Sequence, residues 1–88
     1  MNPTSAHIYT DELKRRLEEA KSKVKVGSKY YHYKHPEKHY IMEMIAMMEA
    51  TEEPAVLYTS EEGITWIRPI SEFLSQNEVD VKWLINLL

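Results

Sequence analysis

The chain has 88 residues, 43% of them hydrophobic and 28% charged, with a formal net charge of −3. That length supports one domain around one modest core and excludes a large multi-part active site. The lack of cysteine excludes disulfides and thiolate metal sites, no apolar run approaches the roughly 18 residues needed to cross a membrane, and Met1 to Ser5 carries no signal-peptide core, so a soluble, cytoplasmic protein is expected.

The first element is predicted to be a helix from about Ser5 to Val24, because Ala6, Tyr9, Leu13, Leu17, Ala20 and Val24 recur at spacings of three and four. Ser5 or Thr10 is a candidate cap, with Asp11 and Glu12 suited to a first turn that begins at Thr10. The opposite face carries Lys14, Arg15, Glu18, Lys21 and Lys25, a solvated stripe in which Glu18 pairs with Arg15 and Lys21 at helical spacing. Gly27 then stops the helix or turns the chain into a strand.

Lys29 to Lys34 reads as a strand rich in tyrosine, and His35-Pro36-Glu37-Lys38 as a turn. Tyr40 to Glu49 fits two templates. Ile41, Met44, Ile45 and Met48 make a helical stripe, to which local propensity leans, whereas Tyr40, Met42, Met44, Ala46 and Met48 alternate as in a strand. Residues 50–54 break the element before a strand at Val56 to Tyr58. Ser60-Glu61-Glu62-Gly63 supplies the turn of a hairpin, and Ile64, Trp66 and Arg68 share one face of its second strand while Thr65 and Ile67 share the other. Pro69 ends the pairing for want of an N–H. A core position for Trp66 would contribute about 2–3 kcal/mol. Ile70 to Leu74 is expected to form a short helical turn and Ser75 to Asn77 a loop, and the tail 79–88 again fits both helix and strand.

Charge is unevenly divided. Residues 1–38 hold nine Lys/Arg against five acids, a net of +4, and residues 39–88 hold two against nine, a net of −7. The asymmetry suits a polyanion surface on the basic half, although mutual attraction of the halves explains it more simply.

Gly27, Tyr31, His32-Tyr33-Lys34, Tyr40, Thr51, Val56, Tyr58, then Trp66-Ile67-Arg68-Pro69 with Phe73, resemble a small uncharacterised bacterial domain-of-unknown-function family. Its hallmarks are an aromatic-His-aromatic-Lys segment and Trp-Val/Ile-Arg-Pro followed by Phe. The resemblance covers Gly27 to Phe73 and implies a strongly bent antiparallel sheet similar to an SH3-like barrel, which would make Tyr40 to Met47 a strand. The chain departs from the pattern at His35, where the family has Gly, and in Met48 to Thr51. The expected fold is therefore α+β, with a helix (1–26) packed on an SH3-like β region (27–76) and a C-terminal element (77–88) on the same core.

Among side chains that could carry function, Arg68 stands first, because arginine pairs bidentately with carboxylate or phosphate and stacks on aromatic rings; the structural alternative is an internal pair with Glu61, Glu62 or Glu72. Tyr31, Tyr33, His32, Lys34 and Trp66 complete the candidate binding set. His32, His35 and His39 have ligand-like spacing, but the turn around Pro36 separates them, so no metal site and no cofactor are expected. No nucleophile–base pair or phosphate loop appears, so no catalytic residue is assigned and an enzyme is not expected. The leading expectation is a binding module for a protein or peptide partner; the alternative is a nucleic-acid-binding module that uses the basic N-terminal half.

Overall fold

A computed structural model describes residues 3–80 and, within them, the side chains from Tyr9 onward. Helix α1 (Pro3–Lys23) leads into strands β1 (Lys29–His32), β2 (His39–Met47), β3 (Pro54–Ser60) and β4 (Thr65–Pro69), then helix α2 (Ile70–Gln76) and a short β5 (Asn77–Val79). All neighbours in the sheet pair antiparallel, in the order β4-β3-β2-β1-β5. The α+β architecture with an N-terminal helix is the expected one. The sheet is open, however, because β4 and β5 are its two edges and do not close a barrel. Pro69 has no N–H to extend β4, and α2 begins at the very next residue.

α1 starts at Pro3, whose fixed φ suits a first helical position, so Asp11 and Glu12 lie well inside the helix rather than in its first turn. Leu13 and Leu17 are half buried and Ala20 and Val24 fully buried, as their spacing requires, while Tyr9 is exposed and turns its hydroxyl to Glu52. Arg15 pairs with Glu12 at 2.8 Å and Glu19 at 3.2 Å rather than with Glu18, which Lys21 takes at 3.3 Å. Gly27 ends this segment at φ 87°, a left-handed conformation that glycine adopts without penalty, and its N–H reaches the Met42 carbonyl at 2.7 Å.

The ambiguous stretch from Tyr40 is strand β2, held by seven residue pairs with β3. A bulge between Met42 and Met44 explains why it reads both ways. Tyr40 and Met42 face inward opposite Ser60 and Tyr58; the extra residue Glu43 shifts the phase, and Ile45 faces inward opposite Val56. Inward residues three apart imitate a helix, and simple alternation, which would put Met44 inside, fails there: Met44 is 54% exposed.

The core lies on one face of the sheet, here called the inner face. Phe73 of α2 is fully buried and meets Tyr58 at 4.7 Å and Tyr30 at 5.1 Å between ring centroids, with Met42, Val56, Ile70, Ala20 and Val24 around them. Gln76 is the last residue of α2 and Asn77 the first of β5, where a loop was expected; the Asn77 side chain donates to the Phe73 carbonyl at 2.9 Å and closes the helix end. The tail beyond residue 80, open between helix and strand in sequence, lies outside the described residues.

Candidate functional site

Alternation along β3 and β4 places Val56, Tyr58, Trp66 and Arg68 on the inner face, with Tyr58 opposite Trp66 and Val56 opposite Arg68. α2 covers the first of each pair only in part of the sheet. Toward the β3–β4 hairpin the inner face opens into a groove of about 730 Å³, floored by Tyr40 and Tyr58 and walled by Lys38, Trp66, Arg68 and the hairpin glutamates. Tyr40 and Tyr58 meet edge to face at 5.2 Å. The hairpin itself depends on Gly63, at φ 84°, with the Ser60 N–H bonded to the Ile64 carbonyl at 2.9 Å.

Trp66 is 49% exposed, so it is a wall of this groove and not the core residue that its bulk suggested. Arg68 is half buried and donates to the side-chain oxygen of Gln76. No internal pair of Arg68 with Glu61, Glu62 or Glu72 occurs: Glu61 instead lies 3.1 Å from His39 Nδ1, and Glu62 is held below the usual carboxylate range by a backbone amide, by the Ser60 hydroxyl and by nearby Lys38.

Behind Arg68, the Gln76 carbonyl accepts the Tyr33 N–H at 3.0 Å, and the Tyr33 ring stacks on His32 at 5.6 Å, nearly parallel. Lys34 Nζ sits 5.6 Å from the Tyr33 ring centroid, and its backbone N–H donates to His32 Nδ1 at 3.1 Å. Burial pushes the His32 imidazole below its usual pKa, and the charges of His35, Lys38, Lys34 and Arg68 push it further. Trp66 and Arg68 line the groove, whereas His32, Tyr33 and Lys34 do not; they connect to it through the Tyr33–Gln76 backbone bond and the nearness of the Arg68 charge to His32.

Tyr31 does not join them. It points to the opposite face, where its hydroxyl donates to Glu78 at 2.7 Å, a bond that raises the phenol pKa. Of the three histidines, the His32 and His35 rings meet at 5.2 Å between centroids, but His39 turns away to Glu61, and His35 also faces Glu37 at 3.6 Å. Among the described residues no group of three His, Asp or Glu side chains is placed to hold a metal ion.

Sequence reasoning missed Gln76 and Tyr40 as site residues. Gln76 stood in an expected loop, and Tyr40 stood in the segment whose period the bulge disguises. Tyr58 was legible as a strand residue, and its pairing with Trp66 follows from the hairpin loop once both strand ends are known.

A profile of the family described as "Protein of unknown function (DUF1653)" matches residues 28–84. The chain belongs to the DUF1653 family. The match takes in every strand, α2 and all the groove residues, and leaves α1 outside. No curated protein and no solved structure matches the chain. Among the described residues no helix is long and apolar enough to cross a membrane.

Proposed function

We propose that this DUF1653 chain is a small bacterial, cytoplasmic binding module, not a catalyst, that seats an extended segment of a protein partner in the groove along β4. The observation that carries the reading is the half-exposed Trp66 wall beside the Tyr40–Tyr58 floor, on a strand that is an edge of the sheet among the described residues. A large aromatic that presents area at little entropic cost is the usual anchor of peptide recognition, and an open edge offers main-chain hydrogen bonds to an added strand.

The rival reading, nucleic acid on the basic half, finds less support. Arg15, Arg16, Lys21 and Lys23 of α1 are each within ion-pair distance of Glu12, Glu18 or Glu19. Selection of a displayed library of random linear peptides on the protein, followed by titration of the enriched peptides, tests the proposal. Trp66→Ala is expected to weaken them about tenfold or more, and Tyr31→Ala, on the other face, to leave them unchanged. Loss in Tyr31→Ala alone would move the site to the other face. An absence of enriched peptides, with single-stranded oligonucleotides bound in a steeply salt-dependent way, would replace the reading with nucleic-acid binding.

A further inference from the structure

We propose that the chemical group recognised in this groove is a carboxylate of the partner peptide, received by the Arg68 guanidinium with Lys38 as a second cation; the inference rests on the peptide reading above. Its ground is the charge inventory of the groove. Each carboxylate of the rim has a partner within the chain: Glu37 faces His35, Glu61 faces His39, and Glu62 takes a backbone amide and the Ser60 hydroxyl. The cations do not. Among the described residues no carboxylate lies within ion-pair distance of Arg68 or Lys38, although Arg68 is half buried.

A guanidinium partly withdrawn from water and without a counter-charge gains from an anion that it receives. The side-chain oxygen of Gln76 takes one N–H and orients the planar group without neutralising it, which leaves other N–H donors of the fork for the groove. Planar, oriented arginine matches a carboxylate with two parallel hydrogen bonds. A phosphate would fit the fork as well, but three rim glutamates oppose a dianion more strongly than a monoanion. The apolar step of the peptide then falls on Trp66, two residues before Arg68 on the same face.

The probe is an N-acetylated, C-amidated hexapeptide carrying one Glu two residues from a Phe, compared with its Gln twin by shift titration of isotopically labelled full-length protein. The Glu peptide is expected to bind about ten- to a hundredfold more tightly than the Gln twin. The difference should vanish in Arg68→Gln, shrink in Arg68→Lys, and shrink in Gln76→Leu, whose guanidinium keeps its charge and loses its orientation; unchanged melting temperatures certify the fold. Equal binding of the Glu and Gln peptides, still dependent on Trp66, would overturn the carboxylate assignment and leave the groove reading standing. Binding indifferent to Trp66→Ala, or no binding by either peptide, would overturn both. Tighter binding of a phosphoserine twin or an oligonucleotide than of the Glu peptide would also overturn the assignment.

Discussion

Tyr58 and Trp66 sit directly opposite each other on neighbouring strands and point to the same face, yet Tyr58 is 6% exposed and Trp66 49%. The difference is cover. α2 starts immediately after Pro69 and carries Phe73 over Tyr58 and Tyr30, so the middle of the sheet becomes core; β4 remains at the rim, where among the described residues no ring packs on Trp66 as Phe73 does on Tyr58. Aromatic character alone therefore does not separate a stabilising residue from an interface residue in this domain. The seven-residue helix α2, whose Phe73 packs on Tyr58, does.

The comparison is broken most directly by truncating each side. Phe73→Ala removes the ring shared by Tyr30 and Tyr58 and is expected to cost about 3–5 kcal/mol, enough to unfold much of a domain this small in a chemical denaturation series. Trp66→Ala is expected to cost less than about 1 kcal/mol in the same series while it weakens peptide binding. If both variants melt alike, the division between core and groove is wrong.

Smaller effects sharpen the picture. Asn77→Ala removes the side-chain bond to the Phe73 carbonyl and should cost about 1 kcal/mol, loosening α2 and with it the orientation of Arg68 through Gln76. Gly63→Ala meets open space but must hold φ 84°, so a loss of about 1 kcal/mol by strain alone is expected from thermal melts, with the hairpin otherwise intact.

The smallest effect is one of pH. Burial and neighbouring cations hold the folded His32 below its usual value of 6.5, so the unfolded chain takes up the proton first and stability falls as pH drops through and below 6.5. His32→Gln should flatten that acid slope. Glu12 works in the same direction further down, because Arg15 and Arg16 hold its carboxyl at about 2: the stabilisation present above its usual 4.5 is lost as pH falls toward 2. Its exposure keeps that contribution slight.

Much of this molecule was determined locally. The helix stripe through Leu13, Leu17, Ala20 and Val24, the left-handed glycines at both turns, the Ser60–Gly63 hairpin and the halt at Pro69 all follow from backbone sterics and side-chain periodicity, which act within a few residues. The sharing of one face by Trp66 and Arg68 was legible for the same reason. Three matters were decided only by tertiary structure. β2 is a strand because β3 pairs with it across a bulge, a long-range gain that outweighs its helical propensity. Trp66 is a wall because α2 leaves the rim uncovered. Arg68 meets Gln76 rather than a glutamate because α2 packs back against the sheet and brings its last residue to β4, a contact between residues that no periodicity relates.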